Sequence, residues 1–304
     1  MTEPTIISDV ASAEALWNKL VRPVSLYDEW SMRVGFLDSS EYDLHLLTDD
    51  AGDSGAMLPL QRQRSDDKLR FIGSPFLERN RGYALPYATG ALAELYHSLP
   101  KGTLLDDISA ADPVCDDSSF RQSDPAYVLD RSSLDYQNRD SLYQFVPKNI
   151  RENLRKIGKR VDSGEIEIVP SELGFTLEQI KRLQHDRFGD DSWLESPAIY
   201  SAIANLDTVA KSIAASTDCT VMRTSDEIIA GCISMRYRDC FYMLTEGVKS
   251  TASLSGLGSY LHYHCMASAF DEGCRLIDTG IGDCGWKERW GLALVPQYLF
   301  ENPC

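Results

Sequence analysis

The sequence predicts a mixed α/β protein of two domains, and three observations carry that prediction. Its 304 residues exceed what one core usually organises and suit two. Short strand-like runs alternate with segments of helical period along the whole chain. With 43% hydrophobic and 25% charged residues, the composition is that of a soluble globular protein.

The elements follow in order. In SDVASAEALWNKL, Ser8 or Asp9 can cap a helix carrying Ala, Leu and Trp on one side. Strand-like runs come next at YDLHLL (42 to 47), GAMLPLQR (55 to 62) and KLRFIG (68 to 73), the last two joined by the turn SDD. GALAELYHSLP reads as a helix that opens at Gly90 and stops at Pro100. AYVLD (126 to 130) is expected to close this half as a strand, so the boundary is drawn near residue 135, giving domains 1–135 and 136–304.

The second half opens with a helix from Pro147 to Val161, whose apolar residues Ile150, Leu154, Ile157 and Val161 recur at spacings of four, three and four. Its remaining surface is cationic: Lys148, Arg151, Arg155, Lys156, Lys159 and Arg160 stand against the single acid Glu152. A strand EIEIV, a helix TLEQIKRLQHDRFG and one helix from about Pro197 to Ile213 follow. Three strands, CTVMRT, IIAGCISMRY and CFYMLTEGV, then lead to a helix from Gly256 to Phe270 and a last strand RLIDTGI.

Thirty basic residues against forty-six acidic ones give a formal charge of -16. That charge repels polyanions at long range and argues against DNA binding. No apolar run approaches the ~20 residues of a membrane span, and MTEPTIISDV has no secretory pattern, so a cytoplasmic location is expected. The eight cysteines include no CxxC pair, which suggests neither a metal site nor a disulfide framework. His262 and His264 lie inside the helix that carries Cys265 and are expected to be packed or exposed, not catalytic.

The order helix, strand, helix, helix, three strands, helix, strand resembles the GNAT acyltransferase fold. More closely, the chain is similar to the FemAB-like branch, which repeats that fold in tandem with a degenerate first copy. The pieces that carry this likeness are KNIRENLRKIGKR, RFGDDSWL (187 to 194), YMLTEGV, SGLGSYLHYHCMASAFDEGCRLIDTGIGD and GWKERWG, with LPLQRQRSDDKLRFIGSPFLERN (58 to 80) for the first copy. Together they span most of the chain. The resemblance implies two tandem GNAT-like domains, an activated acyl donor lying between two splayed parallel strands, and direct transfer to an amine. Those strands would be CFYMLTEGV and RLIDTGI.

Between them Ser255, Gly256, Leu257 and Gly258 open the helix, and the free N–H groups of such a start attract phosphate. The sequence departs from the family loop at Ser253, where a cation or amide is usual. The implied donor is an acyl-coenzyme A, acetyl-coenzyme A in the first place, with aminoacyl-tRNA as the alternative. The acceptor is a small-molecule or peptide amine, and no metal is implied.

Lys287 matches the lysine that closes the family motif and is expected to stabilise the oxyanion. Asp278 and Glu246, at strand ends, are the candidate bases, although either can instead satisfy its own turn. Trp286 and Trp290, four apart, can share a face and shape the acceptor pocket with Arg289. Arg151 and Arg155 are expected to meet donor or acceptor phosphates, and Glu78 and Asn80 to line the acceptor side. Three functions follow: a coenzyme A-dependent N-acyltransferase, an aminoacyl-tRNA-dependent FemAB-like transferase, or a non-catalytic binding protein with a decayed acyl site.

Overall fold

In the first half, apolar residues on both faces of two long neighbouring strands call for cover on each side. The computed structural model describes residues 4–49, 55–250 and 255–302 and shows how that cover is arranged. Strands Thr5–Ile7 (β1), Tyr42–Thr48 (β2), Ala56–Gln63 (β3) and Leu69–Phe71 (β4) pair in that order, and Tyr83–Ala84 (β5) also pairs with β3. Helix Val10–Leu20 (α1), capped by Asp9, which accepts from the Ser12 N–H at 2.8 Å, covers one face. Its Leu16, Trp17 and Leu20 share a core with Leu44, Leu46 and Met57, and Trp30 of helix Trp30–Gly35 (α2) joins them. Helix Thr89–His97 (α3) covers the opposite face through Leu92, Leu95 and Tyr96, against Leu47, Leu58 and Leu60. Strands Leu104–Ser109 (β6) and Phe120–Gln122 (β7) flank Gln297–Glu301 (β15) in a three-stranded sheet.

This unit therefore runs to Pro125 and takes back the chain from Val295 onwards. The sequence boundary near 135 differs at both places. Strand Ala126–Asp130 (β8), expected to close the first half, instead pairs with Leu276–Ile281 (β13) in the second sheet, with Leu276 opposite Asp130. A five-residue apolar strand carries no local record of which sheet it joins.

The second unit, Ala126–Leu294, is organised by a seven-stranded sheet. Its strands are Glu167–Pro170 (β9), Ser216–Arg223 (β10), Ile228–Tyr237 (β11), Cys240–Val248 (β12), β13 and Ala293–Val295 (β14), with β8, in the order β14-β8-β13-β12-β11-β10-β9. A short helix Arg139–Phe145 (α4), capped by Asn138, was not expected. Helix Lys148–Asp162 (α5) buries Ile150, Leu154 and Ile157 as its spacing predicts. These residues share a core with Leu257, Leu261, Cys265 and Met266 of helix Leu257–Asp271 (α9) on one face of the sheet. Helix Leu173–Phe188 (α6) lies on the other face. The single helix expected near 197 to 213 is two, Pro197–Ala204 (α7) and Leu206–Ser212 (α8). Asn205 separates them, its side-chain amide donating to the Ser201 carbonyl at 3.0 Å. Among the described residues no helix is long and apolar enough to cross a membrane.

Candidate active site

Strands β12 and β13 run parallel but pair over three residues only, from Cys240 opposite Leu276 to Tyr242 opposite Asp278. Both continue, β12 to Val248 and β13 to Ile281, with no pairing between them beyond that point among the described residues. Each strand carries a bulge where the pairing stops. In β12, Thr245 faces Ile233 and Met243 faces Ser234, so Leu244 is an extra residue. In β13, three steps from Asp278 to Ile281 oppose two steps from Val128 to Ala126, and Gly280 sits there at φ +76°. Bulges bend and twist a strand locally. The two together open a cleft whose walls carry backbone groups outside the ladder.

The β12 bulge also decides which way Glu246 points. Side chains alternate along a strand, and one extra residue reverses the faces beyond it. Thr245 consequently turns to α6, where it accepts from the Gln184 amide at 3.3 Å, and the same amide donates to the Glu246 carbonyl at 2.7 Å. The Glu246 side chain turns to α9 and accepts a hydrogen bond on Oε2 from His262 Nε2. Of the Glu246 side chain 36% remains exposed, against 5% for His262. Burial pushes the Glu246 carboxyl up, but the facing His262, followed by Lys287 and Arg187, outweighs it and holds the group below the usual carboxylate range.

His262 stacks on Trp286 with ring centroids 4.0 Å apart and planes inclined by 30°. Trp286 meets Trp290 edge-on at 5.7 Å. Trp290 is 1% exposed and belongs to the core, whereas Trp286 is half-buried. The expected pocket wall is thus one indole, with the other behind it. Arg289 is exposed on the short turn Glu288–Trp290.

Lys287 is only 3% exposed. Its Nζ donates to the carbonyls of Gly280 (3.0 Å) and Ile281 (2.9 Å) at the β13 bulge and lies 5.5 Å from the Tyr127 ring centre. The ammonium expected to meet an oxyanion is engaged in holding the end of β13. Asp278 is buried, and its Oδ1 accepts from the Gly280 N–H at 2.9 Å, the turn-capping alternative to a base. Asp283 similarly accepts from the Glu288 N–H at 2.7 Å.

At the other end of the cleft wall, α9 starts from Gly256 at φ +93°, a conformation glycine adopts without strain. A Cβ there would lie 2.7 Å from Asn153 Cβ, so α5 crosses directly beside the helix start. Leu257 is a core residue and can offer a ligand only its backbone N–H. Ser255 is exposed and Gly258 has room, whereas Ser253 lies outside the described residues. On α5, Arg151 donates from Nη1 to the Gln144 carbonyl and side chain, both at 3.1 Å, and Arg155 is exposed.

Glu78 and Asn80 belong to the first unit. Asn80 is 0% exposed, accepting from Arg33 and donating to the Asp106 carbonyl at 3.3 Å, so it has no surface to offer a ligand. Glu78 is half-buried.

The fold thus assembles Glu246, Lys287, Trp286 and Trp290 and adds His262, which sequence reading set aside. A signal for it existed. His262 falls on the stripe Leu261, His262, Cys265, Met266 and Ala269 that α9 buries, and a buried imidazole needs a partner. A hydrogen bond with Cys265, together with burial, pushes the Cys232 thiol well up, away from the thiolate a nucleophile needs. Among the described residues no group of His, Cys, Asp and Glu is arranged to hold a metal ion.

The family model described as "Acetyltransferase (GNAT) domain" matches residues 145–288. Three solved structures share the fold over nearly the whole chain. FemX is 12% identical with a TM-score of 0.57, covering 99% of this chain and 97% of its own. L-PGS from Bacillus licheniformis is 13% identical with a TM-score of 0.59, covering 99% and 94%. A tandem GNAT protein from the clavulanic acid biosynthesis pathway, solved without AcCoA, is 12% identical with a TM-score of 0.56, covering 98% and 97%. No curated protein matches this chain.

Proposed function

We propose that this chain, which carries a GNAT-family acetyltransferase domain on a tandem GNAT fold, moves an acyl group from an acyl-coenzyme A to the amine of a small molecule or peptide, with Glu246 as general base. The observation that supports this is the parting of β12 from β13 just before Glu246. An amide-containing donor arm can lie in that gap as an added strand, hydrogen bonded to the backbone groups left out of the ladder. Its phosphates would meet the first N–H groups of α9 and the neighbouring cations of α5.

An amine that attacks a thioester carbonyl forms a C–N bond and must shed a proton, while the thiolate leaves as the tetrahedral intermediate collapses. Glu246 is suited to take that proton because its charged neighbours hold it as a carboxylate. Backbone N–H groups beside the gap can polarise the carbonyl, a role that does not require Lys287.

The cationic face of α5 favours a second reading, in which the donor is an aminoacyl ester on tRNA. Lys148, Arg155, Lys156 and Lys159 are all exposed, and the helix passes directly beside Gly256. Thermal shift with acetyl- and longer acyl-coenzyme A, run beside aminoacyl-tRNA, separates the two. A melting temperature that rises with millimolar acyl-coenzyme A supports the first reading. Stabilisation by aminoacyl-tRNA alone, with activity abolished by ribonuclease, replaces it with the second.

A further inference from the structure

The segment GWKERWG places two indoles in series behind His262. His262 is pinned from two sides: Trp286 stacks on its face, and the Glu246 carboxylate accepts from its Nε2. The remaining ring nitrogen, Nδ1, is buried and has no hydrogen-bond partner among the described residues. Nε2 therefore carries a proton facing Glu246 in the charged ring, and in the neutral ring as well, because a buried lone pair at Nδ1 is tolerated more readily than a buried N–H without an acceptor. Among the described residues nothing donates to the other carboxylate oxygen, Oε1, and the side chain keeps part of its surface.

We propose that His262 is the positioning residue for Glu246. Locked by Trp286 and Trp290, it holds Oε2 by one hydrogen bond and turns Oε1 to the acceptor amine. The groups facing this pair are Lys287 from the C-terminal turn, Arg187 from α6, and Cys232 of β11 with Cys265 of α9. The first two are cations that act on Glu246 whether or not His262 is present, so the His262 contribution can be isolated by substitution. The proposal rests on Glu246 being the base.

Two variants test it, with circular dichroism confirming the fold. His262→Phe keeps a ring against Trp286 and removes the N–H. His262→Gln returns a donor without a ring. In His262→Phe, kcat is expected to fall by about 10- to 100-fold, with KM for donor and acceptor within about twofold. His262→Gln is expected to recover several-fold of that loss.

The second readout needs no substrate. The carbon-13 titration of the Glu246 carboxyl is expected to move up by about one pH unit in His262→Phe and by less in His262→Gln. Wild-type kcat and an unmoved Glu246 titration in His262→Phe overturn the proposal and leave His262 as core packing. Full activity in Glu246→Gln together with a moved titration instead overturns the base assignment, while the pairing itself stands.

Discussion

Glu246 stands opposite Cys232 across the β11–β12 ladder, and that pairing exists because Leu244 is an extra residue in β12. Were Leu244 laid into the ladder opposite Ile233 instead, Glu246 would stand opposite Gly231 and face α6, and the gap between β12 and β13 would have no base beside it. The bulge joins two events, the end of parallel pairing and the reversal of side-chain direction, at one place in the chain.

Removal of Leu244 therefore tests the site without touching a reacting group. The deletion is expected to straighten β12 while leaving Glu246 opposite Cys232 and facing α9, and, by removing the local bend that widens the gap beside β13, to lower kcat by about 10-fold or more. Circular dichroism verifies that the sheet persists. A folded deletion variant with wild-type kcat would separate the bulge from function.

Glu246→Gln is expected to lower kcat by about 100-fold or more with donor KM unchanged. The folded carboxyl lies below its ordinary range, so the unfolded chain binds the proton first as pH falls. The stability that the charged form contributes is present above about pH 4.3, the unperturbed value, and is lost as pH drops through the folded one. Glu246→Gln should accordingly melt with a shallower pH dependence than wild type between about pH 5 and pH 3. Parallel melting curves in that window would show that Glu246 gains nothing from its neighbours.

Lys287→Ala removes the buried ammonium that donates to the Gly280 and Ile281 carbonyls. It is expected to lower the unfolding free energy by about 2–4 kcal/mol, measured by chemical denaturation. Activity should fall with it, because the β13 wall of the cleft loses its tie. Unchanged stability with a reduced kcat alone would return the ammonium to the oxyanion role that the sequence suggests.

Gly256 and Gly258 should respond differently to alanine. At Gly256 a Cβ meets Asn153 at 2.7 Å in a backbone conformation with φ +93°, so Gly256→Ala is expected to destabilise by about 1–3 kcal/mol and raise donor KM. At Gly258 the nearest atom, Val248 Cγ2, is 3.6 Å away, and Gly258→Ala should be neutral or slightly stabilising. Thermal melts of the two variants, with donor KM measured for each, check the contrast.

What the sequence determined by itself was local. The four-three-four spacing of Ile150, Leu154, Ile157 and Val161 forecasts α5 because helical period depends only on neighbouring residues. The alternation of strands and helices likewise announced the second unit, and Gly256 marked the start of α9. Partner choice was not local. Nothing in AYVLD states that it joins β13, and nothing in QYLFE states that it returns between β6 and β7. The site depended on the same kind of information. Leu244 looks like any strand residue until β11 is laid beside it, and His262 looks like any helix residue until Glu246 has been turned to face it. Register is set by the pairing of two strands, so the direction of the carboxylate was decided only when the sheet formed.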